Sequence, residues 1–243
     1  MKDKKSKPLR SIVTGGSGIL GQSVIAALHK RGDRVLCLDK TPPETGDTEY
    51  VPLDVVDRTS VNKAMSEVQS KLGGLDVLVH SVGILIPAAF LEISDEDMAK
   101  HLEVNLMGAF RVAQSAARMM KKEGGRIVLI TSIHGQVGVP ERGAYAASKG
   151  GIASFARVMA AELAQYRIRV NVLAPGAVDG GMMPNPNTRT GWVAATPIQR
   201  VAHLEEVATV AQMLTSDSSS FINGQIIAVD GGASTLKIFP NVD

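Results

Sequence analysis

Short apolar runs alternate with longer stretches of helical periodicity along almost the whole chain. The runs are Ser11–Thr14, Arg34–Asp39 (RVLCLD), Tyr50–Val55 (YVPLDV), Asp76–Val82 (DVLVHSV), Gly125–Ser132, Arg169–Pro175 (RVNVLAP) and Gln225–Val229 (QIIAV). Most are apolar throughout rather than at every second position, as strands of a parallel sheet covered on both faces must be. The intervening stretches read as helices: one after the glycine turn Thr14–Gly21, an amphipathic one at Arg58–Leu72, one at Tyr145–Tyr166 and a short one at His203–Leu214. Ser94 caps a long helical pattern with acids in its first turn and lysines in its last, interrupted midway by Asn105 and Gly108. Thr41–Glu49 is a Pro-, Gly- and acid-rich loop where a crossover helix would be usual. The pattern predicts an α/β fold, a doubly wound parallel sheet of about seven strands with helices on both faces. No linker divides it, so residues 1–10 read as a basic tail and 11–243 as one domain. Residues 179–202, rich in Gly, Pro, Asn and Met, read as a lid over a site.

Composition narrows the function classes. Hydrophobic residues make up 44%, enough for a sizeable core, and the formal net charge is +2. That balance calls for neither nucleic acid nor a membrane surface. No apolar run approaches the ~20 residues of a spanning helix. The basic start leads into the glycine turn without a signal-peptide pattern, so a cytoplasmic protein is expected. Cys37, the single cysteine, excludes an intramolecular disulfide and reads as a buried small hydrophobe.

Candidate chemistry gathers at the ends of the strands. TGGSGILG (Thr14–Gly21) stands between a strand and a helix, the context in which glycines let a backbone approach a pyrophosphate and a helix N-terminus meet its charge. Asp39 ends the second strand, where an acid can hydrogen-bond an adenosine ribose and repel a 2′-phosphate. It favours NAD(H); the adjacent Lys40 leaves NADP(H) open. Tyr145 and Lys149 are four apart on a helical pattern and therefore share a face. By themselves they are equally a surface tyrosine and a solvated lysine. Together, an ammonium beside a phenol is expected to lower a pKa of about 10 and allow proton exchange near neutrality. Ser132 ends a strand that points at the same place.

In order and spacing these motifs resemble the short-chain dehydrogenase/reductase family in its compact, Rossmann-type, single-domain branch. The resemblance runs from about Ile12 to Gly232 and rests on the glycine turn, Asp39, Leu53–Val55, Asn105, Ser132, Tyr145-x-x-x-Lys149, Pro175–Gly176 and Asn223–Gly232. It implies an NAD(P)(H)-dependent oxidoreductase that interconverts a secondary alcohol and a ketone by hydride transfer. Tyr145 would be the general acid/base, Lys149 would tune it and hold the nicotinamide ribose, Ser132 would bind the substrate oxygen, and Asn105 would hold a relay water. The cofactor set it implies is Gly15, Ser17, Gly18, Ile19, Leu20, Asp39, Asp54, Val55, Ser81, Val82, Gly83, Tyr145, Lys149, Pro175, Gly176 and Val178, with no metal. Two departures stand out. The turn has the spacing TGxxGxxG rather than TGxxxGxG, and His80–Gly83 reads HSVG rather than NNAG. For the substrate, His134, Met182, Met183 and Trp192 are pocket candidates, and Arg142, Arg189 and Arg200 could each approach a charged group. The partner expected is a small alcohol or ketone. Ile152, Phe155, Val158 and Met159 give one helix more apolar faces than the sheet needs, so a homodimer or homotetramer is expected. The alternatives are an NADPH-dependent 3-oxoacyl-(acyl carrier protein) reductase and, from another class, a nucleotide-sensing or scaffold protein without turnover.

Overall fold

The computed structural model describes residues 7–44, 48–180 and 186–236. Its seven strands are β1 (Arg10–Thr14), β2 (Arg34–Asp39), β3 (Glu49–Pro52), β4 (Val77–His80), β5 (Gly125–Ile130), β6 (Ile168–Pro175) and β7 (Ile226–Val229). They form one sheet in the order β3-β2-β1-β4-β5-β6-β7, with every neighbouring pair parallel. Alternate residues of each strand serve opposite faces. Ile12, Leu78, Ile127 and Leu129 pack with α2 (Arg58–Leu72), α4 (Gly108–Met120) and α5 (Gly143–Leu163). Val13, Val79, Val128 and Ile130 pack with α1 (Ile19–Arg31) and α7 (Leu204–Leu214). Period-two alternation between two apolar layers explains why these segments are apolar at successive positions.

The chain leaves β1 in one direction to build β2 and β3, then crosses to β4 on the other side. Ligands of open α/β sheets bind at the carboxyl ends of the strands where such an order reverses.

Three boundaries differ from the sequence reading. Arg10 is not tail: it is a buried residue of β1, paired with Asp76 at 2.7 Å and Glu123 at 2.6 Å. The long helical pattern begins as expected, with Ser94 Oγ accepting from the Asp97 N–H at 3.0 Å. It is nevertheless three pieces: α3 (Asp95–His101), a π-helical turn (Leu102–Met107) and α4. Asn105 lies in that turn. Segment 179–202 contains α6 (Pro186–Ala195), which its irregular composition did not predict.

Candidate active site

A cleft of about 560 Å³ opens at the carboxyl ends of the strands. At one end β1 runs into Gly15, in the left-handed region at φ 72°, whose N–H donates to the Leu38 carbonyl at 2.9 Å. A Cβ at Gly15 would lie 2.8 Å from the Ser81 carbonyl carbon, so this turn requires glycine. Behind it α1 starts at Ile19 with no side-chain cap and no acid in its first turn. Its free N–H groups and positive end are left for an anion. Asp39, at the end of β2, lines the same end of the cleft. Its carboxylate accepts from the Ser17 N–H at 3.0 Å and the Lys40 N–H at 2.6 Å. Lys40 turns its own ammonium to Asp54, 2.8 Å away.

At the other end α5 presents Tyr145 and Lys149 on one face, as their spacing requires, and both are buried. The Lys149 ammonium donates to the Ile130 carbonyl at 3.2 Å and lies 5.7 Å from the centre of the Tyr145 ring. Ser132 and Tyr145 line the same cleft, and the Ser132 hydroxyl favours ionisation of the phenol. Ser132 follows β5 directly, and its Oγ accepts from the His134 N–H at 3.2 Å. Gly83 closes the floor: a Cβ there would come within 3.0 Å of Lys149 Nζ.

Asn105 is fully buried, and its amide is spent on protein. It accepts from the Ile84 N–H at 2.8 Å and donates to the Ile84 carbonyl at 3.0 Å and to Ser148 Oγ at 2.9 Å. Ser148 Oγ in turn donates to the Tyr145 carbonyl at 2.7 Å. The π turn thus joins the backbone after β4 to the start of α5. Single π turns inside helices commonly mark functional positions. His101 supports the same loop. Its Nε2 accepts from the Ile86 N–H at 3.1 Å, so its Nδ1 carries the proton given to the Asp97 carbonyl at 2.7 Å.

The electrostatics correct one expectation. Tyr145 is not acidified: burial pushes its pKa up to about 12, against opposing effects from Ser132 and the charge of Arg142. Burial pulls the Lys149 ammonium down to about 8. The pair lies in a low-dielectric interior, where desolvation outweighs the benefit expected from one helical turn of separation. The phenol is therefore a neutral O–H donor at physiological pH. His80 is buried with Nδ1 2.7 Å from Thr14 Oγ1 and is pulled down to about 3 by burial and, secondarily, by the Lys149 charge.

The cleft brings together most of the residues singled out in the sequence. Gly15, Gly18, Ile19, Leu20, Asp39, Ser81, Val82, Gly83, Ser132, His134, Tyr145, Lys149, Pro175, Gly176, Val178 and Trp192 all line it. Ser17, Asp54, Val55 and Asn105 do not: Ser17 and Asp54 bond to the loop around Asp39, while Val55 packs into the core against Gly108. Met182 and Met183 lie outside the described residues. Leu85, Thr131, Leu204 and Arg142 also line the cleft, and His101 stands edge-on to the Tyr145 ring at 6.4 Å. Nothing in their local sequence marked Leu85, Thr131, Leu204 or His101, because long-range packing brings each to the site.

The cradle fits a dinucleotide. It offers a glycine turn with no room for a Cβ, an uncapped helix N-terminus, an acid at ribose distance in the chain, and a proton donor at the far end. Comparison with known proteins decides the family. A family model described as Enoyl-(Acyl carrier protein) reductase matches residues 19–234. Nodulation protein G of Rhizobium sp. (strain N33) is 33% identical over 238 residues, covering 93% of this chain and 97% of that protein. The 3-oxoacyl-[acyl-carrier-protein] reductase MabA of Mycobacterium tuberculosis (strain ATCC 25618 / H37Rv) is 35% identical over 224 residues, covering 91% of each. The chain belongs to the short-chain dehydrogenase/reductase family. A solved short-chain type dehydrogenase/reductase from Mycobacterium marinum superposes with a TM-score of 0.88 at 27% identity, covering 93% of this chain and 95% of that one. Membership makes the protein an NAD(P)-binding oxidoreductase acting on CH–OH or keto groups of small molecules. Among the described residues no helix is long and apolar enough to cross a membrane.

Proposed function

We propose that this short-chain dehydrogenase/reductase interconverts a secondary alcohol and a ketone with NAD(H), using Tyr145 as proton donor and acceptor. The convergence of the Tyr145 hydroxyl, Ser132 and Lys149 at one end of a single cleft, with the glycine turn at the other, carries the reading. The bound nicotinamide supplies or accepts hydride. Ser132 and the Tyr145 O–H share the substrate oxygen, and the O–H gives its proton as that oxygen becomes an alkoxide. Lys149, buried and cationic below about pH 8, holds positive charge beneath the phenol. Asn105 acts one step away, by fixing the Ile84 backbone and the first turn of α5. α6, which carries Trp192 to the cleft, covers the substrate end.

The NAD(H) preference rests on Asp39, with Lys40 committed to Asp54. A carboxylate facing a 2′-phosphate costs several kcal/mol when both are desolvated. NADH is expected to bind at least about tenfold more tightly than NADPH, and Asp39→Ala to narrow that ratio. Dissociation constants from nicotinamide fluorescence measure it, and tighter NADPH binding overturns the assignment. That result would favour the second reading, a 3-oxoacyl-(acyl carrier protein) reductase, which the 35% identity to MabA supports.

The protein is also proposed to form a homodimer or homotetramer through α4 and α5. Ile152 is in the core and takes no part. Val158 is 56% exposed and Phe110 38% exposed. A groove of about 290 Å³ between these helices is lined by Phe110, Met159, Leu163 and Tyr166. A second subunit would cover this apolar face. Light scattering is expected to give a dimer or tetramer; a monomer at micromolar concentration rejects the interface.

A further inference from the structure

Three arginines were candidates for a charged substrate, and the structure separates them. Arg189 is paired with Asp179, and Arg200 makes two bonds to the Glu206 carboxylate at 2.7 Å each. Arg142 alone of the three lines the cleft, beside Ser132 and Tyr145. Its side chain is only 18% exposed, yet its nearest carboxylate is the solvent-facing Glu141, 3.8 Å away. Nη1 donates to the Glu141 carbonyl at 3.2 Å. Among the described residues, Nε and Nη2 make no hydrogen bond. Those two nitrogens are not sealed from solvent, so that side of the guanidinium fork is open to an anion entering the cleft.

The surroundings agree. Asp39 is the one carboxylate among the described residues lining the cleft, and it stands at the opposite, ribose end. Next to Arg142 the wall is aromatic: His134 stacks on Trp192 at 5.3 Å and 27°, and meets Tyr145 edge-on at 5.9 Å. His134 Nδ1 is buried without a partner. Burial and the Arg142 charge hold this imidazole neutral, down to about 4, so it does not compete for the anion. Arg142 is the N-cap residue of the helix that carries Tyr145, and both line the same cleft.

We propose that Arg142 determines substrate class: the substrate is a keto acid, or in reverse a hydroxy acid, whose carboxylate sits on the Arg142 guanidinium while its carbon chain lies along the His134–Trp192 stack. This rests on the proton-donor role of Tyr145. In reduction the carbonyl carbon gains two electrons and a hydrogen from NADH, which becomes NAD⁺. The oxygen gains the Tyr145 proton, and the carboxylate is unchanged. Arginine suits this task because its planar fork can take a carboxylate through two parallel bonds.

Trp192 is the only tryptophan in the chain, so its emission reports occupancy without requiring turnover. The NAD⁺-loaded protein is titrated with 4-oxopentanoate and with its methyl ester. The acid is expected to bind at least about tenfold more tightly than the ester. Arg142→Gln should weaken acid binding by about tenfold to a hundredfold and ester binding by no more than about threefold; Arg142→Lys should retain part of the preference. Parallel kinetics with NADH should put the Arg142→Gln effect on the acid into KM rather than kcat. Equal affinities for acid and ester in the unaltered protein overturn the proposal. So does an Arg142→Gln variant that weakens both alike or shifts the pH profile for both, since Arg142 would then act only through Tyr145. A binding preference for the acid together with turnover that survives Tyr145→Phe upholds Arg142 as the anion site and instead sinks the Tyr145 chemistry.

Discussion

Tyr145→Phe is expected to lower turnover by roughly a thousandfold or more, since a positioned general acid contributes about 10²–10⁴ and this hydroxyl also shares the substrate oxygen with Ser132. The ring should stay in place. It is buried between the edges of His101 and His134, and phenylalanine keeps both contacts. NADH affinity should therefore remain within a few-fold, which separates loss of proton transfer from loss of the site. The assay is nicotinamide absorbance with any active ketone, alongside fluorescence titration of the cofactor. Turnover surviving in the variant removes the catalytic assignment. The unaltered protein adds a check by pH. The Tyr145 phenol keeps its proton until about 12, so its own ionisation does not limit ketone reduction near neutrality. Lys149 is cationic below about 8 and neutral above it. Ketone reduction should accordingly be sustained below about pH 8 and fall as pH rises through that value.

Gly21→Ala should abolish cofactor binding, with affinity falling by a hundredfold or more. A Cβ at this position would sit 2.1 Å from the Gly15 carbonyl oxygen and 2.8 Å from Gly16 Cα. Both are backbone atoms, so no side chain can swing aside. Either α1 moves off the turn or the turn opens, and each removes the close approach to a pyrophosphate. Thermal melting by circular dichroism tells a local change from a global one. A variant that melts like the parent but no longer binds NADH is the expected result. Unchanged NADH affinity would show that the TGxxGxxG turn does not hold the cofactor.

Much of this was legible locally. The strands lie where the apolar runs lie, because a strand buried on both faces must be apolar at successive positions wherever it sits in the sheet. Tyr145 and Lys149 share a face because helical geometry fixes neighbours at four residues. The glycine turn with its strand and helix marked a candidate phosphate site before any fold was known, and the turn does line the cleft. The π turn was legible only as an interruption at Asn105 and Gly108; the bonds from Asn105 to Ile84 and Ser148 show what the irregularity holds.

Sequence alone thus determined the doubly wound architecture, through periodicity, and the family, through the resemblance of its ordered motifs, and short spacing put Tyr145 and Lys149 on one helix face. Tertiary structure decided the direction of the Tyr145 shift, because desolvation depends on what the whole chain packs around the phenol. It also decided which arginine lines the cleft: Asp179 and Glu206 hold two of them outside it, and Arg142 is left there with only the exposed Glu141 carboxylate at 3.8 Å.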